Sequence, residues 1–375
     1  MFLLSVILIV MPDIYTSPYN QSIERVKGEV LSVNNDAIQQ FGMVRQGDQS
    51  LVVRIMDGRF KGEEVEAGNT LIGKMDMDKI FEVGDTAYMV LDTSLGKIIT
   101  ATAYDHYRID VLLLLFVFFV VFLFLFAGWM GLRAVLSFIF AVLMIWRVLV
   151  PCILLGLDPV LIAFLTVTMI TTVTMLLVAG FSRTAFVAIL GAMLGVLLTC
   201  GLSFILFPLV KLNGAIQPYS ETLLFSGFPE LNLDKIYLAA IFIGASGAVM
   251  DLAIDVAASM NEVWQKRNDL SFLEMVKSGF AVGRAMTSTM VTTLLMAYVS
   301  GFIALLMVFL SKGIPPIQMI NTGLISSEIL RTMVGSFGLV TVAPFTALVG
   351  GVVFTRQGRA FNRKQLETDN HTSVN

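Results

Sequence analysis

The pattern of hydrophobic and polar positions changes at about residue 110. Before that point, short runs alternate between apolar and polar residues and are separated by turn residues, as in VKGEVLSVNN, SLVVRIMDG and KIITATAY. Such alternation predicts β-strands with one buried face, and Asp57-Gly58 predicts a hairpin turn. We therefore expect residues 12–108 to form a small β-rich domain.

After residue 110, the chain consists mainly of long apolar runs joined by short polar stretches. Each run is long enough, or nearly so, for a helix that crosses a bilayer. The seven runs are 111–128, 133–154, 159–179, 184–208, 236–258, 285–310 and 338–354. The pattern predicts an α-helical polytopic membrane domain over residues 109–354, with about seven spans.

Four stretches fit neither pattern. Residues 1–11 are apolar but too short for a complete span, so we expect a membrane-entry segment, part of a signal or an anchor. Residues 313–337 are too polar for an ordinary span and too apolar for a free loop, which predicts a re-entrant or interfacial segment. Residues 261–285 mix charges with apolar residues at helical spacing and predict an amphipathic helix on the cytosolic face. Residues 355–375 form a basic tail.

Composition supports a membrane protein. The chain has 375 residues, of which 56% are hydrophobic and 14% charged, a balance too apolar for a soluble globular protein. The bilayer itself is therefore the first expected partner.

The basic residues predict an orientation. When the chain turns over at each run, one side collects Arg133, Arg183, Lys266, Arg267, Lys277, Arg284, Arg356, Arg359, Arg363 and Lys364. The opposite loops hold Lys211, Lys235 and Lys312. The positive-inside rule makes the richer side cytosolic. The β-domain and residues 209–235 are then extracytoplasmic, and the C-terminus is cytosolic.

Several kinds of chemistry find no support in the sequence. Cys152 and Cys200 fall at the ends of apolar runs, and His106 and His371 have no partner at ligand spacing. No glycine-rich phosphate loop or nucleic-acid-binding patch is present in the sequence. The apolar runs also lack a nucleophile-base pair. We therefore expect no cofactor, no nucleic-acid partner and no enzymatic activity.

Two carboxylates interrupt the fifth apolar run, in GASGAVMDLAIDVAASMNE. Asp251 and Asp255 are four residues apart and share one helical face with Ser259 and Glu262. A charge near a bilayer centre costs roughly 2.5–3.5 kcal/mol on insertion scales, so two incidental carboxylates would be a poor way to build a span. We expect Asp251 and Asp255 to bind a proton or a cation. Two alternatives stay open: a polar contact between helices, and simple hydration of Asp255 near the cytosolic end.

Two further groups of polar residues could support this site. Hydroxyls such as Thr289 and Thr293 would either complete an oxygen-lined path or make packing contacts and bond back to helix carbonyls. Glu328 and Arg331 lie three residues apart and would either pair with each other or let Arg331 neutralise an aspartate.

Three segments carry a resemblance to a known family: GASGAVMDLAIDVAASMNE, then GRAMTSTMVTTLLMAYVSG, then SSEILRTMVGSFGLVTVAPFTALVGG. Because these three segments occur in this order, the chain resembles the YibE/F-like family of bacterial membrane proteins over about residues 109–356. Its extracytoplasmic domain resembles the longer, YibE-like branch. The resemblance implies a multi-pass protein of the bacterial plasma membrane.

A narrower similarity concerns arrangement. Over about residues 244–310, an acid-bearing helix, an amphipathic segment and a Thr-rich helix follow one another, as in proton-driven export pumps of the resistance-nodulation-division and SecD/SecF type. This analogy favours proton coupling and names no substrate. We therefore expect a secondary transporter or a transport component, with a paired membrane subunit or a homo-oligomer as further partners. The alternative is a membrane scaffold that binds partners through its external β-domain.

Overall fold

The structure is a computed structural model that describes residues 8, 10, 23–94 and 96–372, with side chains described except at residues 94 and 356–372. Apart from residues 8 and 10, the predicted membrane-entry segment lies outside this description. The chain divides into two compact units, residues 16–126 and residues 127–375 together with residues 1–15. The chain is mostly helical with an N-terminal β domain, which confirms this part of the predicted fold class.

The first unit contains six strands in the part of the chain that the structure describes. They are β1 (Ile23–Asn34), β2 (Gln39–Phe41), β3 (Val44–Ile55), β4 (Glu64–Ile72), β5 (Thr86–Ser94) and β6 (Lys97–His106). β1 pairs antiparallel with both β3 and β5, β3 pairs with β4, and β5 pairs with β6. A parallel bridge between Gly68 of β4 and Thr102 of β6 closes the ring. The five long strands thus form a small closed barrel of the Greek-key kind found in OB folds.

The barrel closes because β1 pairs with two strands, β3 and β5. Gly28 lies where β1 passes between them, and a Cβ at this position would be 2.4 Å from Val53 and 3.0 Å from Met89. Only glycine leaves room for this approach, as is common where a barrel strand bends. Alternate residues of the strands point inward and form the core, with Val30, Leu51, Val53, Met89 and Leu91 at its centre.

A buried amide pair fixes one side of the barrel. Gln49 donates to the Phe81 carbonyl and accepts from the Phe81 N–H, while Asn69 donates to Gln49 and to the Lys79 carbonyl. These bonds hold the loop before β5 and place the Phe81 ring in the core. Buried polar side chains are tolerated here because their hydrogen bonds are made.

The turns of the barrel differ from the simplest expectation. Asp57-Gly58 lies in the β3–β4 connection, but that connection spans residues 56–63 because Phe60 turns into the core. Asp78 accepts hydrogen bonds from the backbone N–H groups of Ile72, Gly73 and Lys74. Desolvation raises the pKa of Asp78, but these bonds outweigh it and hold that pKa below its usual range. Its carboxylate therefore organises a turn.

The remainder of the described chain is helical. The helices are α1 (Ile109–Met144), α2 (Val150–Leu154), α3 (Pro159–Ala179), α4 (Arg183–Val210), α5 (Ser220–Phe225), α6 (Leu233–Lys266), α7 (Phe272–Ser300), α8 (Ile303–Ser311), α9 (Pro316–Asn321) and α10 (Gly323–Thr372). A π-helical segment, Ile145–Leu149, joins α1 to α2, and a 3-10 turn, Gly214–Ile216, follows α4. The chain enters the second unit within α1.

The first two predicted spans are joined in one helix. Residues 129–132, expected to be a loop, are helical, and the interruption falls at Gly128, whose φ of 56° and ψ of −134° lie outside the helical region. Glycine tolerates this conformation because it has no Cβ. Farther on, Pro151 lacks an N–H, and the preceding π-helical segment accommodates that loss.

The predicted amphipathic helix and the sixth span are divided differently in the structure. Residues 261–266 end α6, and α7 starts at Phe272 behind a capping box of Ser271 and Glu274. The first half of α7 does not lie apart as a surface helix, because Met275, Val276 and Gly279 are buried in the helical core. The sixth span, 285–310, breaks at residues 301–302, where α7 and α8 meet at a bend of 65°.

Residues 313–337, for which we expect a re-entrant or interfacial segment, contain α9 and the beginning of α10. Residues 323–337 are the beginning of α10, which runs without a break through the predicted last span. Their polar side chains do not end the helix because they find partners nearby. Ser327 bonds to the Leu324 carbonyl, and Glu328 lies beside Arg331. The predicted basic tail continues the same helix as far as Thr372.

α6 lies at the centre of the second unit, against α3, α4, α7 and α10. Glycines allow the closest approach between α4 and α10. A Cβ on Gly191 would be 2.1 Å from the Thr346 hydroxyl oxygen, and a Cβ on Gly338 would be 1.9 Å from that of Thr199. Small residues at such crossings permit backbone contact between helices.

Within the described residues, five helices are long and apolar enough to cross a membrane, or six if α7 and α8 count as one bent span. At about 1.5 Å per residue, the 46 residues from Ile109 to Leu154 could extend well beyond the roughly 30 Å hydrocarbon core. The break at Gly128 divides this length into two pieces that match the two apolar runs of the sequence.

Candidate functional site

Asp251 and Asp255 lie near the middle of α6. The helix is capped at its start by the Asn232 side chain, which accepts from the Lys235 N–H. It continues for 34 residues to Lys266. Asp251 is therefore more than four helical turns from either end. Its position is far from the polar ends of the helix.

The aspartates occupy the more exposed side of α6, which we call the uncovered side, although Tyr298 of α7 lies against it at Gly244. Val249, Leu252 and Val256 are fully buried on the opposite side. The uncovered side consists of small and acidic residues: Gly244, Gly247, Asp251, Ala258 and Glu262 are exposed, and Asp255 and Ser259 are half-buried. The helical periodicity of the sequence therefore predicted the shared face of Asp251, Asp255, Ser259 and Glu262.

The two carboxylates have no protein partner among the described residues. Neither accepts a hydrogen bond there, and neither lies within 4.0 Å of a described cationic group. Asp255 is close enough to act electrostatically on Asp251. Two like charges one helical turn apart repel, and a proton or a cation bound between them removes that repulsion.

α7 runs antiparallel to α6 beside the aspartates. Gly244 meets Tyr298 and Met260 meets Gly279, so residues 283–298 of α7 flank the aspartate region. Thr289 and Thr293 lie in this stretch but are exposed. Their hydroxyls donate to the carbonyls of Met286 and Thr289 in their own helix. The structure therefore shows the back-bonding alternative for these two hydroxyls and no bond from them to the aspartates.

Glu328 and Arg331 form a separate cluster on α10. The Arg331 Nη1 is 3.7 Å from the Glu328 Oε2, and the Arg331 Nη2 donates to the Gln217 Oε1 at 2.8 Å. The guanidinium also lies over the Tyr237 ring, 5.7 Å from its centroid. This is the local pairing that the spacing allowed. No ion pair joins Arg331 to Asp251 or to Asp255 within the described chain.

Sequence reasoning missed Tyr237 and Gln217. Tyr237 is 1% exposed and donates its hydroxyl proton to the Ser327 carbonyl at 2.6 Å, which ties α6 to α10. The only sequence signal was a phenol inside an apolar run. Gln217 is 114 residues from Arg331, and no local pattern connects the two. Tyr298 lies close enough to interact electrostatically with both Arg331 and Glu328.

Metal binding finds little support in the geometry. Among the residues that the structure describes, no group of three or more His, Cys, Asp or Glu side chains could hold a metal ion together. The aspartate pair offers two carboxylates, which suit a proton or one weakly held cation.

Comparison with known proteins gives one match. The profile of the YibE/F-like protein family covers residues 115–356, which include both the aspartate pair and the Glu328–Arg331 cluster. No match was found among curated proteins or among solved structures. The family match extends over more than half of the chain and agrees with the resemblance seen in three of its segments. The chain belongs to the YibE/F-like family.

Proposed function

We propose that this chain is a multi-pass protein of the bacterial plasma membrane and acts as a secondary transporter or as a component of one. Membrane embedding is supported by the apolar surface of the helices. In α1, large side chains such as Leu112, Leu114, Phe118, Phe122 and Phe126 are exposed. Soluble monomers rarely expose apolar patches of this extent. Such patches are expected on helices that lie in the hydrocarbon core of a bilayer.

The proposed orientation has the barrel outside and the C-terminus in the cytosol, on the basis of the positive-inside rule. It can be tested with single cysteines at exposed positions. A cysteine that replaces Glu63 in the barrel or Glu221 in the α4–α6 connection should react with an impermeant thiol reagent in intact cells. A cysteine that replaces Asn268, between α6 and α7, should react only after permeabilisation. Labelling in the opposite order would reverse the orientation.

The observation that carries the transport proposal is the aspartate pair on an uncovered face in the middle of α6. A carboxylate kept at that depth for no purpose would be costly, so ionisable residues inside spans commonly mark ion or proton pathways. Gly247, about one helical turn before Asp251, leaves space beside the carboxylates, since a Cβ there would meet no atom within 4 Å. Protons or cations can therefore reach the pair without displacing a bulky side chain.

The proposed mechanism uses the repulsion between the two carboxylates. With both ionised, the pair attracts one proton or monovalent cation, and the bound state carries a single negative charge instead of two. The two states differ in the cost of exposing this face of α6 to hydrocarbon. Binding can thus shift the balance between two helix arrangements, which is how an ion gradient drives a secondary transporter.

The test is ion flux in proteoliposomes that contain the full chain and a pH-sensitive dye. An imposed gradient should produce dye-reported flux, and Asp251→Asn and Asp255→Asn should abolish it while the protein still inserts and elutes as a folded species. Asp269→Asn is the matched control, because Asp269 is exposed in the α6–α7 loop and paired with Arg267. Full flux in both aspartate variants would rule out transport through the pair.

Co-purification, together with the flux assay, addresses the scaffold alternative. Under that alternative, the barrel binds an external partner and the polar face of α6 holds helices together. Co-purification of a partner that is lost in Asp251→Asn, without any flux in the wild-type protein, would favour the scaffold.

A further inference from the structure

The uncovered side of α6 is unlike a surface that faces lipid. It presents Asp251 and Asp255 in the middle of the helix, together with small residues such as Gly244, Gly247 and Ala258. Charged side chains inside spans almost always face protein or a water-filled cavity, because their exposure to hydrocarbon is costly. Small residues allow another helix to approach closely. In the proposed embedding, this side of α6 therefore suits contact with protein.

Arg284 of α7 carries a positive charge that the described chain does not pair. Its side chain is exposed and forms no ion pair or hydrogen bond with a described residue. It immediately precedes the apolar run of residues 285–310. An unpaired arginine beside hydrocarbon is costly for the same reason as an unpaired aspartate. The surface of the helices thus presents unpaired charges of both signs.

Arg284 and Asp255 lie at the same level along the helices. A Cβ on Gly283 would be 3.7 Å from the Val256 Cγ2, so the neighbours of these two residues lie within about one helical turn of each other along the axis. Copies of one membrane protein insert in the same orientation, and the symmetry axis of a closed assembly then runs along the membrane normal. Each copy therefore holds Arg284 at the depth at which its neighbour holds Asp255.

A groove beside Arg284 can receive a helix of a second copy. It lies between α7 and α10 and has a volume of about 410 Å³. Its lining is mostly apolar, and Gly283, Ala343 and Pro344 lie next to Arg284 in it. Small residues in such a groove let the backbone of a docked helix come close. The groove and the uncovered side of α6 are thus complementary in charge and in depth.

We propose that the chain forms a closed homo-oligomer in which the uncovered side of α6 in one copy packs into the α7–α10 groove of the next. Arg284 of one copy then pairs with Asp255 of the other, so the aspartate site is completed by a second copy. Asp251 remains beside the space at Gly247 and stays available for a proton or a cation. The inference rests on the membrane embedding in the proposed function and not on ion flux.

The first measurement is co-purification of two differently tagged copies of the full chain from cells that express both. Wild-type copies should recover each other. Arg284→Gln or Asp255→Asn in both copies should lower recovery about tenfold or more, because the loss of one partner of a buried charge pair weakens an interface strongly. Asp269→Asn is the matched control and should recover as the wild type does, because Asp269 pairs with Arg267 in its own loop.

A charge exchange tests the pair directly. A chain with Arg284→Asp should not associate with itself, and neither should a chain with Asp255→Arg, because each contact would bring like charges together. A chain with both changes again joins an arginine to an aspartate at every contact. Its recovery should therefore return toward that of the wild type.

Cross-linking locates the contact without any charge variant. In chains with Cys152→Ser and Cys200→Ser, one tagged copy carries Ala258→Cys and the other carries Ala281→Cys. Both alanines are exposed, and they lie at the same level because Gly279 meets Met260. Mild oxidation should link the two copies by a disulfide. Replacing the second cysteine by Met296→Cys, about 22 Å farther along α7, should abolish the link.

Several outcomes would overturn the proposal. They are wild-type copies that neither co-purify nor cross-link, wild-type recovery in Arg284→Gln, and a folded charge-exchange chain that stays monomeric. If Arg284→Gln loses bound anionic phospholipid but keeps its association, Arg284 binds a lipid phosphate instead. If the charge variants do not fold, the cross-linking pair decides the question. None of these measurements uses an ion gradient, so their failure and the failure of the flux assay are separate results.

Discussion

The contact between α4 and α10 at Gly191 should be sensitive to a single added methyl group. A Cβ at this position would be 2.1 Å from the Thr346 Oγ1 and 2.9 Å from the Thr346 Cα. The threonine hydroxyl can rotate away, but the backbone carbon cannot. Because carbon atoms prefer separations of about 3.5–4.0 Å, Gly191→Ala must push the two helices apart by roughly 0.6–1 Å at this point.

The magnitude follows from comparison with a second glycine of the same helix. Gly201 is exposed, and a Cβ there would meet no atom within 4 Å. Both substitutions gain the same helix propensity, up to about 1 kcal/mol. Only Gly191→Ala adds the overpacking cost of about 1–3 kcal/mol. We therefore expect the free energy of unfolding of Gly191→Ala to be about 1–3 kcal/mol below that of Gly201→Ala.

The assay is unfolding of the purified full chain in detergent, followed by far-UV circular dichroism with denaturant and with temperature. For a unit of this size, each 1 kcal/mol corresponds to about 2–4 °C in the midpoint. Thr346→Ala removes one clashing atom and should partly restore Gly191→Ala, so the double variant should cost less than the sum of the two single changes. Equal stability of Gly191→Ala and Gly201→Ala would refute this packing argument.

Three further predictions concern polar groups. Asp158 is 39% exposed and caps α3, and its lysine partner and two backbone N–H groups hold its pKa below the usual range. The ionised Asp158 should therefore stabilise the wild-type protein relative to Asp158→Asn above about pH 4, and this advantage should disappear as pH falls through the lowered pKa. Asp158→Ala should be less stable than Asp158→Asn by a further ~1 kcal/mol, because alanine cannot cap the helix. Unfolding measured as a function of pH tests both expectations. In the barrel, Asn69→Leu should cost about 1–3 kcal/mol in chemical unfolding, because Gln49 loses a buried donor. Arg331→Gln should lower the free energy of unfolding by about 3 kcal/mol, because it removes the cation beside Glu328. The double variant with Glu328→Gln should lose less stability than the two single variants added together; strictly additive losses would mean that Arg331 and Glu328 do not form a pair.

Local patterns were enough to predict the types of the main elements. Period-two alternation before residue 110 corresponds to the strands of the barrel, and the long apolar runs correspond to helices. The shared face of Asp251 and Asp255 also follows from sequence, because helical geometry fixes the relation between residues four apart. The family could likewise be recognised, since its segments lie in one order along the chain.

Helix ends and breaks were harder to predict. Residues 323–337 looked too polar for a span, yet they form the first turns of α10. There Arg331 lies 3.7 Å from Glu328 and donates to Gln217, and Ser327 bonds to its own helix. Whether a polar residue ends a helix depends on whether it finds a partner, and hydropathy alone does not contain that information.

Local sequence is enough to specify which elements form and which residues share a face, because these properties depend on neighbours within a few positions. Which distant groups meet depends on how the elements pack. The tertiary structure closed the barrel by pairing β1 with two strands, and it brought Gln217 to Arg331 across 114 residues. It also left one side of α6 uncovered and placed Arg284 of α7 level with Asp255. Such contacts follow from how whole helices and strands pack, and a one-dimensional pattern does not specify that packing.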